Sequence, residues 1–268
     1  MRHSTILLTT VAVCTVPIAG GAHKKDQTPQ KTLALATRIV GGVNASIDEY
    51  PYLVAVKIRD RQYCGGSIIS NRVVLTAAHC FRYDNNPRHY SIQYGQTNLG
   101  NTKNIIPVRS FMKHPNYSPK TLDYDVALIF LVKYITLGPK AQIIKLALNR
   151  PISGSRVSIA GWGATQYGSS GSTNLLSVYL YVLTPRECAK RYRNIYRITP
   201  RMICAGAHVE GRDSCSGDSG GPLVLRGVQV GICSNGAECG HKKYPGVYCN
   251  VAAVRNWIEM NMEPVWKG

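Results

Sequence analysis

Between Gly211 and Leu223 the chain holds a serine hydroxyl flanked by glycines, together with two carboxylates, within thirteen residues: Gly-Arg-Asp-Ser-Cys-Ser-Gly-Asp-Ser-Gly-Gly-Pro-Leu. Glycines on either side of Ser219 allow tight backbone conformations that other residues disfavour, so amide N–H groups can turn toward a bound group. Such a cradle is what stabilises an oxyanion. The same composition fits a surface turn, since Gly, Asp and Ser are common there. Two further stretches bear on the choice. Thr76-Ala77-Ala78-His79-Cys80 sets a histidine at the end of an apolar strand, and Asp123-Tyr124-Asp125-Val126-Ala127-Leu128 sets Asp125 just before another. Either by itself reads as structural. With Ser219 they supply base, orienting carboxylate and nucleophile in the order His, Asp, Ser, one known arrangement for acyl transfer.

Groups so far apart in sequence need a scaffold to bring them together, and the 268 residues suffice for one large all-β domain or two ordinary ones. Short β-branched runs recur at Leu53 to Ile58, Val73 to Thr76, Val126 to Leu131, Val157 to Ala160, Leu175 to Leu183, Leu223 to Leu225, Val228 to Cys233 and Gly246 to Val251. Gly, Pro, Asn and Asp clusters separate them, which predicts an antiparallel all-β barrel or sandwich. Two helices are expected as well. Thr184-Pro185-Arg186-Glu187 has the form of a capping box with proline at the first helical position. Val254, Trp257, Ile258 and Met262 fall at helical spacing, with Pro264 beyond them.

The first 21 residues carry Arg2 and His3, an apolar run from Ile6 to about Gly20, and small residues after it. That is the layout of a secretory signal peptide, too short for a stable membrane span. Residues 22–38 are polar and lysine-rich, with Pro29 and no apolar periodicity, and read as a flexible pro-segment ending at Arg38. Secretion without a membrane anchor is therefore the expectation. Of nine cysteines, Cys14 lies in the leader, and the remaining eight allow 105 pairings in an oxidising compartment. The sequons Asn44-Ala45-Ser46 and Asn116-Tyr117-Ser118 are compatible with export. The formal charge is +18, of which the first 38 residues carry five Lys or Arg and one Asp, leaving +14. Such a balance favours polyanions without naming one.

In six motifs the chain resembles the trypsin-like (chymotrypsin-fold) serine proteases: Ile39-Val40-Gly41-Gly42, Thr76-Ala77-Ala78-His79-Cys80, Asp125-Val126-Ala127-Leu128, Gly161-Trp162-Gly163, Gly217-Asp218-Ser219-Gly220-Gly221-Pro222 and Pro245-Gly246-Val247-Tyr248. The resemblance runs from Ile39 to the C-terminal helix. It implies two packed antiparallel six-stranded β-barrels, one over about residues 39–145 and the other over about 146–268, with a short intermediate helix and a C-terminal helix. It also implies a nucleophile at Ser219, a base at His79, an orienting carboxylate at Asp125, and an oxyanion hole from the N–H groups of Gly217 and Ser219. A carboxylate at Asp213, six residues before the nucleophile, implies a pocket for Arg or Lys. Ser214, Ser234, Gly236 and Gly246 are the accompanying substrate-binding residues, the two glycines being walls that must stay small.

Cleavage after Arg38 by another trypsin-like protease would free the amine of Ile39 to pair with Asp218, as the resemblance implies for activation of a zymogen. It further pairs Cys64 with Cys80, Cys188 with Cys204 and Cys215 with Cys239. Cys233 and Cys249 remain, on runs expected to be neighbouring strands, and a fourth bridge between them is predicted. Asn235 stands where the family usually has Trp, Glu238 where it usually has Gly, and Ser216 where it has a longer polar residue, so extended specificity departs from the pattern. The paired glutamates with which vertebrate trypsins hold calcium are missing after His79, so no metal and no cofactor are expected. Polypeptide substrates, an activating protease and protein inhibitors are the expected partners of a monomer that engages neither nucleic acid nor membrane. The alternative is a protease-fold binding protein that captures an acidic glycan or other partner, with Arg186, Lys190, Arg191, Arg193, Arg197 and Arg201 as its dense basic segment.

Overall fold

The computed structural model describes residues 42–163, 171–207, 218–236 and 243–262. In chain order its strands are β1 (Val43–Asn44), β2 (Leu53–Ile58), β3 (Arg61–Ile68), β4 (Val73–Thr76), β5 (Tyr90–Tyr94), β6 (Ile105–Lys113) and β7 (Ala127–Leu131). There follow β8 (Lys145–Leu146), β9 (Arg156–Gly161), β10 (Leu176–Val182), β11 (Met202–Gly206), β12 (Pro222–Leu225), β13 (Val228–Asn235) and β14 (Gly246–Asn250). Helix α1 spans Pro185–Tyr192 and α2 spans Val251–Asn261. The eight runs picked out by β-branched composition are β2, β4, β7, β9, β10, β12, β13 and β14. The strands that composition alone does not mark include polar ones, such as Tyr90-Ser91-Ile92-Gln93-Tyr94 in β5, and the short apolar β11, Met-Ile-Cys-Ala-Gly.

Strands β2, β3, β4, β7, β6 and β5 close into one antiparallel barrel. The second barrel runs β10, β11, β14, β13, β12 and β9, and closes where β9 pairs with β10 from Leu176↔Gly161 to Tyr181↔Arg156. Among the described residues, closure pairs every strand of each ring with a neighbour on both sides. The N-terminal strand β1 joins the second barrel, Val43 opposite Ser177. The first barrel's apolar cluster continues through Val224, Ile232 and Cys249 of the second and through Val251, Val254 and Ile258 of α2. A buried hydrogen bond from Ser67 Oγ to Gln229 Oε1, 2.7 Å, crosses between the barrels.

Helix α1 starts as its sequence requires, Thr184 Oγ1 accepting the N–H of Glu187 at 3.1 Å with Pro185 in the first turn. The Glu187 carboxylate pairs one turn on with Arg191, at 2.6 Å. Disulfides join Cys64 to Cys80 and Cys188 to Cys204, each across a sequence separation of 16. Loops of that length are worth about 3 kcal/mol on the chain-entropy account. Cys215 and Cys239 lie outside the described residues.

The predicted fourth bridge is corrected: Cys233 and Cys249 are both buried and are not joined. They do sit on paired strands, but Cys233 lies opposite Tyr248 and Cys249 opposite Ile232. Successive residues of a strand point to opposite faces. Cys249 therefore packs with Ile232 in the first apolar cluster, and Cys233 with Tyr248 in the second barrel's own core. A sheet separates the two sulfurs. Burial raises the Cys249 thiol well above its ordinary pKa.

His114 knits the first barrel to α2. It is 8% exposed, stacks on Tyr124 at 4.4 Å and lies 4.9 Å from Trp257. Its Nδ1 accepts the N–H of Asn116 at 3.1 Å. Burial pulls its pKa below the ordinary imidazole value, against a smaller opposing pull from Asp123. A group depressed in the folded state takes up its proton more readily in the unfolded chain. Its stabilising contribution is thus complete above about pH 6.5 and is lost as pH falls through the folded value. Between about pH 7 and about pH 5 the urea midpoint is expected to fall further for the wild-type protein than for His114→Phe. Equal falls in the two proteins would reject this assignment.

Candidate active site

The site assembles on a carboxylate with no exposure to solvent, that of Asp125. It follows Tyr124 at the end of the loop into β7. One oxygen accepts the backbone N–H of His79 at 2.9 Å, and the other meets His79 Nδ1 at 2.7 Å. The second oxygen also accepts the hydroxyl of Ser234, from β13 in the other barrel, at 2.5 Å. Beside a carboxylate, Nδ1 must carry the imidazole proton, which leaves the Nε2 lone pair free to take one. The His79 side chain is 16% exposed. It rises from the 3₁₀ turn Ala78–Phe81, whose other members Ala78, Cys80 and Phe81 are buried. Phe81 stacks on Phe111 at 3.9 Å, which anchors the turn.

Ser219 comes from the second barrel, half-buried in the turn before β12. Its carbonyl accepts the N–H of Gly65 at 2.7 Å. Gly65 adjoins Cys64, and Cys64 is bonded to Cys80, the neighbour of His79. One disulfide thus ties the histidine's turn to the strand that holds the serine's backbone. The turn is closed by Gly221 N–H to the Asp218 carbonyl at 2.9 Å and by Gly220 N–H to the Cys233 carbonyl at 2.7 Å. Gly220 has φ +81, and a Cβ there would stand 2.1 Å from Thr76 Oγ1. No other residue fits.

Asp218 is the second buried carboxylate, 1% exposed, and accepts the N–H of Gly163 at 2.9 Å. Its seat is cut from the Gly161-Trp162-Gly163 motif. A Cβ on Gly161 would lie 2.1 Å from Asp218 Oδ1, and one on Gly163 2.6 Å from the carboxylate. Both glycines are required by this approach.

Of the residues expected to bind substrate, Ser234 is 8% exposed and its hydroxyl donates to Asp125. Asn235 donates from its amide to the hydroxyl of Tyr196 at 3.4 Å. Desolvation raises that phenol's pKa to about 12. Gly246 pairs with Ala205 on β11, and a Cβ at Gly236 would meet nothing within 4 Å. Arg38, Ile39, Asp213, Ser214, Ser216, Gly217 and Glu238 lie outside the described residues. The Ser234 bond to Asp125 and the Gly65 bond to Ser219 leave no local mark in the sequence, since neither residue is near its partner in the chain. Of the six-residue basic segment, Arg191 is paired with Glu187, and Arg201 with Asp123 at 2.5 Å. Arg186, Lys190, Arg193 and Arg197 are exposed.

A family model described as Trypsin matches residues 39–258. The chain is similar to trypsin 5G1 of Aedes aegypti, 35% identical, with 96% of this chain and 97% of the relative covered. It is similar to trypsin delta of Drosophila melanogaster, 37% identical, with 97% and 100% covered. Among solved structures it resembles neuropsin, a serine protease expressed in the limbic system of mouse brain, with a TM-score of 0.77 at 33% identity. That likeness covers 83% of this chain and 99% of the other.

The Ser234 hydroxyl is a short bond to a buried charge, and such bonds contribute about 1.5–3 kcal/mol. If the bond is kept in the transition state, Ser234→Ala is expected to lower kcat/KM by about tenfold to a hundredfold. Steady-state kinetics per titrated site check this, and an unchanged kcat/KM would remove Ser234 from the machinery.

Proposed function

The chain belongs to the trypsin family, and we propose that this serine endopeptidase is exported as a zymogen, activated by cleavage after Arg38, and hydrolyses polypeptides after Arg or Lys. The observation that carries the reading is the 2.7 Å bond between His79 Nδ1 and the buried Asp125, formed beside a turn that presents Ser219. Ser219 Oγ attacks the scissile carbonyl while His79 Nε2 takes its proton. Asp125 holds the imidazole in the required tautomer and stabilises the imidazolium. The N–H groups of Gly217 and Ser219 receive the oxyanion. His79 then passes the proton to the leaving amine, and water, deprotonated by the same imidazole, releases the acyl group from Ser219.

Asp213 floors the substrate pocket and pairs with the Arg or Lys side chain, and Ser214, Gly236 and Gly246 leave room for it. Once Arg38 is cut, the amine of Ile39 pairs with Asp218. A buried ammonium needs such a partner, and the seat between Gly161 and Gly163 already holds the carboxylate in place. The enzyme reading is supported over a pure binder by the His79–Asp125 bonds, and two members of the basic segment are engaged in ion pairs rather than offered to a polyanion.

The test is to cut the purified chain after Arg38 with trypsin, titrate it with an active-site serine reagent, and assay a panel of substrates differing in the residue before the cleaved bond. The expected result is one reactive serine per cut chain, preference for Arg and Lys, and little activity before cutting. Ser219→Ala should lose about 10⁶ in kcat. Preference for Phe or Leu would overturn the pocket assignment, and full activity with Arg38–Ile39 intact would overturn the activation scheme. Because a free α-amine titrates near pH 8, activity is also expected to decline at alkaline pH as the Ile39–Asp218 pair is lost.

A further inference from the structure

Asp123 lies two residues before Asp125 and is gripped from the other barrel. Its Oδ1 accepts Thr199 Oγ1 at 2.7 Å and Arg201 Nε at 3.2 Å, and its Oδ2 accepts Arg201 Nη2 at 2.5 Å. This is the two-pronged contact that the planar guanidinium makes and an ammonium cannot. Burial opposes charge on Asp123, yet Arg201 and Thr199 together outweigh it and hold the carboxyl below its ordinary pKa. Arg201 is itself rooted in the second barrel, its carbonyl accepting the N–H of Asn250 at 2.7 Å.

The backbone that this pair grips is unusual. Leu122 has φ +55 and Tyr124 φ +54, left-handed values that L side chains avoid. They flank Asp123 and lead directly into Asp125. Conformations of this kind persist only where the surroundings over-determine them. Here the Arg201 guanidinium lies 4.9 Å from the centre of the Tyr124 ring, and His114 stacks on the same ring. The loop's own bonds, Leu122 N–H to Ser118 O at 2.7 Å and Ser118 N–H to Asp123 O at 3.1 Å, close it on itself. Asp123 ties it to the second barrel.

We propose that the Arg201–Asp123 pair is a positioning device for catalysis: it holds the left-handed turn that delivers Asp125, and so sets that carboxylate against His79 in one barrel and Ser234 in the other. Neither residue touches substrate. A small displacement of a catalytic group costs rate rather than substrate affinity, and about 1 Å of misplacement can cost about a hundredfold. The proposal rests on Asp125 acting in the triad.

The experiment compares Arg201→Met, Arg201→Lys, Asp123→Asn and the double variant D123N/R201M in chain cut after Arg38, with kcat and KM measured per titrated serine on an arginine amide substrate. Arg201→Met and Asp123→Asn are each expected to lower kcat about tenfold, with KM unchanged within about twofold. Arg201→Lys should recover part of the loss, and the double variant should be little worse than either single one. Asp123→Asn keeps the shape and the Thr199 contact, and so serves if Arg201→Met folds poorly. A lower melting temperature with kcat per site unchanged in both single variants would overturn the proposal and leave the pair a structural tie. Asp125→Asn in the same assay separates the two readings. Undiminished kcat there overturns the triad assignment, whereas loss there without loss in the Arg201 and Asp123 variants overturns the positioning role alone.

Discussion

A carboxylate withdrawn from water must be repaid in hydrogen bonds, and the arrangement at Asp125 follows from that constraint. An ionised carboxyl buried without donors costs several kcal/mol. Asp125 obtains its donors from two bodies: the backbone and ring of His79 from the first barrel, and the hydroxyl of Ser234 from the second. Pulling the barrels apart would strand the charge. The group that orients the imidazole is for that reason also a reason for the barrels to dock.

The same logic governs Asp218, the carboxylate buried beside Ser219. Its neighbours are glycines because a side chain at Gly161 or Gly163 would occupy the space of its oxygens. Next to it the serine turn is held from three directions: by Gly65, by the Cys233 carbonyl and by its own internal bond. The Cys64–Cys80 bridge then makes His79 and Gly65 parts of one unit. Ser219, His79 and Asp125, the proposed nucleophile, base and carboxylate, come from segments far apart in sequence, yet each is fixed by contacts that cross between them. This cross-bracing is what preorganised acyl-transfer chemistry requires, since a donor or base must already be in place when charge develops.

Much of this was readable in the chain because the signals are local. β-branched runs between turn residues marked eight strands, and threonine followed by proline and glutamate marked the start of α1. The conjunction of His79, Asp125 and Ser219 marked the chemistry. What escaped sequence reading is pairwise and distant. Gly65 carries no mark of its bond to Ser219. Nothing local in the sequence turns the Ser234 hydroxyl to Asp125. Arg201 looked like one more cation in a basic stretch until the fold placed it on Asp123.

Cys233 and Cys249 show where the division falls. The sequence by itself determined that both lie on apolar runs, that the runs are strands, and which residue types stand ready for hydrolysis, because composition and local periodicity act through neighbours along the chain. Only the tertiary structure decided that Ile232, not Cys233, lies opposite Cys249. Register across strands is set by barrel closure and by which face must be buried, and a shift of one residue turns a side chain to the opposite face. The docking of one barrel on the other brought Asp123 within reach of Arg201 and Ser234 within reach of Asp125. Those contacts join two barrels, and no local pattern in either barrel specifies how the two meet.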